Sequence, residues 1–428
     1  MSHSFFPRGY VCLFVLLAAL VLVPAPASAT NLSVNCPTDN LQGAINSLDP
    51  LGPHTITVTG TCTEHITIDG KARLTIEAPV GLTATIQSGA PGDGIVVQVI
   101  NSRVITLRRL VIRNGSIGVR LTVGSESRFE ACTIENNTLQ GVRVLDHSIG
   151  RFGGWEGAPF TSRNNGQQGV DAENSYVYLN GYVTIENNGY PDGGSGLRLV
   201  ASTAYTYGYP GENIIRGNNA LGANVMRNST LTTWATLRLE NNSLGGIQMW
   251  EAATALFIGF EDSGAFYGVI IENNPRVGLW VSGSHASLIG PHRIRNNGSG
   301  AENIGGVLLT GSATLSVQGA DVSNNIGPGI LVEANANLEL SDSRITNNSQ
   351  EGLLVRRLAT AGLYTDPAYP LVLSGNGNAN LFCDTTSLVY GDPSGITNIR
   401  CNRIEQEKGP PRGGRVHEEF DHGKPPKP

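Results

Sequence analysis

Charged side chains between residues 143 and 251 recur at a spacing that could support acid-base chemistry. Asp146, His147, Asp171, Glu173, Arg198, Arg227 and Glu251 lie on or just after consecutive short apolar runs, together with Arg143. Elimination at a uronate needs a cation beside the carboxylate and a base at the adjacent carbon, whereas glycoside hydrolysis needs two carboxylates flanking the glycosidic oxygen. Arg143, Arg198 and His147 fit the first scheme, and Asp171 with Glu173 or Glu251 fits the second, so Asp171, Glu173, Arg198 and His147 are the catalytic candidates. A structural reading stands beside this one. Arg120, Arg143, Asp171 and Arg198 each stand two residues after a recurring Gly, Glu135, Arg163 and Glu186 each precede an Asn pair, and Arg293, Asp321 and Arg344 form another such row. Opposite charges on strands ~4.8 Å apart are ordinary cross-strand pairs. Lost activity with an unmoved melting curve would mark Asp171 and Arg198 as catalytic; lost stability would mark them as ladder residues.

Aromatic residues form a second set. Alternate units carry extra residues rich in aromatics, Gly and Pro: Phe152-Gly153-Gly154-Trp155, Tyr205 through Tyr209-Pro210, Phe260 to Tyr267, and Tyr364 to Tyr369. One further insertion, Ser299 to Asn303, stands elsewhere in its unit. Side chains two strands apart would project about 9–10 Å from one another, a spacing comparable to a disaccharide in an extended chain. Because aromatic faces pack on the apolar faces of sugars, Trp155, Tyr205, Tyr207, Tyr209, Tyr267 and Trp250 are the expected substrate-binding residues, and a polysaccharide or cell-surface glycan is the expected partner. The alternative is that these rings fold back over a neighbouring strand.

The elements that must position both sets follow from a repeat. Asn-Asn pairs begin at Asn136, Asn164, Asn187, Asn218, Asn241, Asn273, Asn296, Asn324 and Asn347, at intervals of 28, 23, 31, 23, 32, 23, 28 and 23 residues. A period in this range means a stacked repeat. Each unit reads as Gly, an alternating apolar run, a small-residue strand and a third strand ending Ile-x-Asn-Asn, and alternation of period two is strand rather than helix. Three short strands cannot bury an apolar face alone, so each coil must stack on the last. Asn tolerates the left-handed backbone of a tight corner, and aligned Asn side chains can bond as a ladder. Strands with weaker corners are expected from His54–Thr59 onward, including a run at Val104–Leu107. Leu41, Ala44, Ile45 and Leu48 follow helical spacing after Thr38-Asp39, which predicts a short amphipathic cap helix.

From about His54 to Arg403 the chain resembles the right-handed parallel β-helix repeat proteins of the pectin-lyase-like superfamily, in particular secreted bacterial members with Asn-Asn corners. The resemblance implies an all-β, right-handed three-stranded parallel β-helix. It does not imply one reaction, since the scaffold hosts lyases, hydrolases, epimerases, adhesins and proteins without activity. The Asp-Asp pair with a Gly-His-Gly partner of polygalacturonases is absent, as are the Asp-Pro-His-Asp of mannuronan epimerases and a lysine in the central repeats.

The expected organisation is a signal peptide at 1–29, an N-terminal cap at 30–53, the β-helix at 54–403 and a charged, Pro/Gly-rich disordered tail at 404–428. The leader points to a secreted, periplasmic or cell-surface protein without a membrane span. In an oxidising compartment Cys36 with Cys62 and Cys383 with Cys401 are expected to form local disulfides, while Cys132 reads as a buried apolar residue. A net charge of −6 and a charged fraction of 15% give no case for nucleic acid. No calcium-loop or zinc spacing is present, so no metal or cofactor is expected, and the chain is expected to be a monomer. Two functions remain open from sequence: binding, with or without cleavage, of an extended polysaccharide in a lyase-like or glycosidase-like manner, and a non-enzymatic surface or envelope solenoid.

Overall fold

A computed structural model describes residues 29–191, 193–208, 211–299 and 304–405. Residues 1–28 of the proposed leader, residues 406–428 of the proposed tail, Tyr209 and most of the Ser299–Asn303 insertion lie outside the described residues. The chain forms a parallel solenoid. One face is a 14-stranded parallel sheet running from Ile66–Asp69 to Ile399–Cys401, and the strands of the other two faces join into a 27-stranded sheet. In each coil, alternate residues point inward: Val170 and Ala172 are buried between Asp171 and Glu173, as Leu197 and Leu199 are beside Arg198. Stacking these inward residues creates one continuous apolar core from Val34 to Ile396. Phe129, Phe152 and Phe160 fill its middle, with Phe129 and Phe152 stacked at 4.9 Å. Phe152 is thus a core residue rather than part of an exposed aromatic loop.

The corners are held by two buried polar ladders. The second Asn of each pair sits inside the corner, and its side-chain amide donates to the Asn of the next coil: Asn137 to Asn165 at 2.9 Å, Asn188 to Asn218 at 3.1 Å and Asn218 to Asn242 at 2.9 Å. The ladder continues through Asn348 to Asn376. The first Asn takes the left-handed conformation, for example Asn164 at φ 53° and Asn241 at φ 55°. One corner departs from the sequence reading by one residue. Gly217, at φ 63°, holds the left-handed position, and Asn218 is the ladder residue rather than the start of the pair. A serine ladder, invisible to the Asn period, occupies the turn after the first strand, where the Ser202 N–H donates to Ser229 Oγ at 3.0 Å.

The N-terminal end is closed as expected. Helix α1 (Leu41–Ser47) buries Leu41 and Ile45, and both Glu64 oxygens accept from its first N–H groups, Leu41 at 2.9 Å and Gln42 at 3.0 Å. Strand pairing begins before residue 54, because Thr30–Asn35 lies parallel to His54–Thr59. The run expected at Val104–Leu107 is instead a strand over Ile105–Arg108, with Val104 in a left-handed turn. Cys36 is bonded to Cys62 and Cys383 to Cys401. Cys132 is buried, and burial pushes its thiol up to about 12, which makes it unreactive at neutral pH.

His292 is buried in a single neutral tautomer. Its Nδ1 accepts from the Val269 N–H at 3.1 Å, leaving Nε2 to donate to the Ile289 carbonyl at 3.2 Å. Burial lowers its pKa to about 4. Between the unfolded value near 6.5 and the folded value, the unfolded chain binds the extra proton, so stability is expected to fall as pH drops through that window. The full loss is about 3 kcal/mol, reached near pH 4. Urea midpoints at pH 7 and pH 4.5 check this, with the slope reduced in His292→Gln; equal slopes would refute it.

Candidate functional site

The 14-stranded face gathers three of the four catalytic candidates. Register places Arg120, Arg143, Asp171, Arg198, Asn224, Gln248 and Trp280 in one outward column on seven consecutive coils. Glu173 and Trp250 belong to the neighbouring outward column. Asp171 is fully buried although it points outward, because the longer arginines of the flanking coils close over it. Arg198 grips it bidentately, Nε to Oδ1 at 2.7 Å and Nη2 to Oδ2 at 3.2 Å. Arg143 approaches the same carboxylate only at 3.5 Å and Glu173 at 3.7 Å. Burial works against the Arg198 charge, but the hydrogen bond and charge of Asp171, with Glu173 behind, outweigh it and hold the guanidinium above the ordinary arginine range.

Arg120, one coil before Arg143, is half-buried and has no acidic partner among the described residues, and its Nε is buried without a hydrogen bond. Like the Nε of Arg143, it is an unsatisfied buried donor, a costly condition unless an anion or water completes it. Farther along the face the Trp250 indole N–H donates to Asn224 Oδ1 at 3.1 Å, and its ring stays exposed. This surface therefore offers two underused guanidiniums at one end and two indoles at the other, the exposed Trp250 and Trp280, which is half-buried against Val277, Leu308 and Leu331. It offers no unengaged base at Asp171.

His147 is not brought into this cluster. It sits exposed in the left-handed turn after the Val142–Leu145 strand, next to Asp146. The remaining aromatic candidates lie on a different surface. Tyr178 and Tyr205 stack on successive coils at 5.3 Å, Tyr207 stacks against both, and Arg151 covers the far face of Tyr178 at 4.3 Å. These rings present edges and hydroxyls, since their faces are spent on one another. Burial beside the other two phenols raises the Tyr207 pKa. Trp155 is exposed with Arg108 over its ring at 4.1 Å. Tyr267 is only 7% exposed and stacks on Phe260 at 4.8 Å within a hairpin, so it is covered rather than presented as a sugar platform.

Sequence reasoning placed Arg120 only in a structural row and missed Trp280, Asn224 and Gln248. The signal was present: each stands two residues after Gly118, Gly278, Gly222 and Gly246 respectively, continuing the spacing of Asp171 from Gly169. Among the described residues, the His, Cys, Asp and Glu groups close enough to share an ion are Cys36, Cys62 and Glu64. The two sulfurs are joined, and Glu64 caps α1.

Residues 232–363 match the family model described as the right handed beta helix region. The chain has the fold of a right-handed parallel β-helix. No curated protein matches it. Among solved structures, an alginate lyase from Paenibacillus sp. str. FPU-7 is 12% identical over 88% of this chain and 99% of its own, with a TM-score of 0.32. The periplasmic alginate epimerase AlgG is 12% identical over 88% and 83%, with a TM-score of 0.37. Tailspike protein 3 of bacteriophage CBA120 is 10% identical over 83% and 55%, with a TM-score of 0.38. Those neighbours are named for acting on alginate or for being a phage tailspike. No helix among the described residues is long and apolar enough to cross a membrane.

Proposed function

We propose that this β-helix binds an extended acidic polysaccharide lengthwise along its 14-stranded face. The observation that carries the reading is the pair Arg120 and Arg143 on consecutive coils. Arg120 has no acidic partner among the described residues, and Arg143 makes only long contacts, to Asp171, which Arg198 already holds, and to Glu173. A row of carboxylates or sulfates on an extended glycan would satisfy both guanidiniums by charge-assisted hydrogen bonds. Trp250 and Trp280 add apolar ring surface for the uncharged faces of sugars farther along. The two disulfides fit a protein working in an oxidising compartment, where such polymers are met. The role is binding, because Asp171, the best placed base in the sequence, is consumed by Arg198.

Titrating polygalacturonate into the protein, with neutral dextran as control, tests the proposal. Arg120→Ala is expected to weaken polyuronate binding about tenfold, about 1.4 kcal/mol, with the melting temperature nearly unchanged. Wild-type binding should also weaken as salt rises. An Arg120→Ala, Arg143→Ala double variant that binds as tightly as wild type would sink the idea.

A further inference from the structure

The Asn-Asn corner, opposite in character to the charged face, carries two adjoining depressions. One, of about 440 Å³, is lined by Asn164, Asn187, Gly217, Asn241 and neighbouring polar residues. The other, of about 360 Å³, is lined by Asn136, Thr138, Asn164 and Pro191 among others. Tyr190 lines both, so the ring stands between them, and it is 79% exposed. The segment that carries it is tied down where Asn219 Nδ2 donates to the Gly189 carbonyl at 3.0 Å.

Two features give this trough a ligand chemistry. The side-chain amides of Asn136, Asn164, Asn187 and Asn241 are exposed, and none has a hydrogen-bond partner among the described residues. Each offers a donor and an acceptor, the pairing a sugar hydroxyl requires. On consecutive coils they repeat every ~4.8 Å, a step comparable to one hexose of an extended chain. The larger depression exists because Gly217 stands where the neighbouring corners carry Asn, which leaves one side chain missing from the row. Among the described residues no charged side chain lines either depression, and the charges that flank the corner are paired, Arg163 with Glu135 at 2.9 Å and Arg216 with Glu186 at 2.8 Å.

From this geometry we infer that the corner is a second glycan site, selective for neutral hexose polymers, in which Tyr190 stacks on a sugar ring and the Asn row reads its hydroxyls. The trough is independent of the arginine face, and its ligand class differs. An uncharged amide row has no cation to offset the desolvation of a carboxylate, whereas a bare tyrosine face beside amides that both donate and accept is suited to an uncharged pyranose.

The experiment is calorimetric titration of the full chain with cellohexaose, mannohexaose and chitohexaose. At least one should bind. Tyr190→Ala should weaken that binding at least tenfold. Gly217→Asn should do the same by filling the notch. The one close approach a Cβ would make there is to the movable Oδ1 of Asn187, at 2.6 Å, and Asn already adopts this left-handed conformation at the other corners, so the fold should hold. Arg120→Ala should leave neutral binding intact, which separates the two sites. Absence of binding to all three hexasaccharides, or binding that neither Tyr190→Ala nor Gly217→Asn weakens, overturns the inference.

Discussion

Asp171→Ala is expected to destabilise the protein by about 3–5 kcal/mol, seen as a lowered urea midpoint. The carboxylate is fully buried, and its loss would leave Arg143 and Arg198 facing each other across one empty coil. Removing one partner of a buried pair costs this much because the remaining charge keeps its desolvation penalty and loses its compensation. Asp171→Asn should cost less, since it keeps an acceptor for Arg198 while losing the charge. The smaller loss in Asn and larger loss in Ala would identify a charge-and-hydrogen-bond clamp. An unmoved midpoint in Asp171→Ala would show that the carboxylate is dispensable for folding and would restore it as a candidate base. The clamp also sets the pose of the arginine column, so polyuronate binding should weaken along with stability.

Asn218→Ala should cost about as much, about 3–5 kcal/mol, from a neutral side chain. Its Oδ1 accepts both the backbone and side-chain N–H groups of Asn188 at 3.1 Å, and its Nδ2 donates to Asn242 at 2.9 Å and to the Ile185 carbonyl at 3.2 Å. Alanine leaves those buried partners unmade, at about 1–3 kcal/mol for each that stays unsatisfied. The exposed Asn187 makes a sharp control. It bears no ladder bond, so Asn187→Ala should cost only about 1 kcal/mol, for holding a non-Gly, non-Asn residue in the left-handed region. Equal midpoints for the two variants would mean that the ladder adds little. This contrast is the practical difference between adjacent asparagines that look interchangeable in the chain.

The charged column illustrates why part of the site was legible. A residue two positions after each corner Gly must point outward on the same face, so Arg120, Arg143, Asp171 and Arg198 could be aligned before any coordinates. Which of them pair could not be. A row of charges at a common spacing permits several partnerships, and side-chain length, burial and the neighbouring Glu173 decide among them. The result leaves Arg198 with a bidentate partner and Arg120 with none. The aromatic candidates show the opposite outcome. Their recurrence in alternate units was visible, yet ring orientation was not, and stacking consumes the faces of Tyr178 and Tyr205 and covers Tyr267.

By itself the sequence determined the solenoid. Period-two alternation, left-handed Asn corners and a repeat near 25 residues admit only stacked three-strand coils, and the local spacing of the cysteines and the helical spacing of Leu41, Ile45 and Leu48 determined how the N-terminal end closes. Tertiary structure alone decided the assignment of polar groups: which Asn of each pair is buried, that Gly217 leaves a notch, and that Asp171 is clamped while Arg120 has no acidic partner among the described residues. The physical reason is that backbone periodicity is a local property repeated along the chain. Hydrogen-bond satisfaction instead depends on what the coils above and below bring to within about 3 Å.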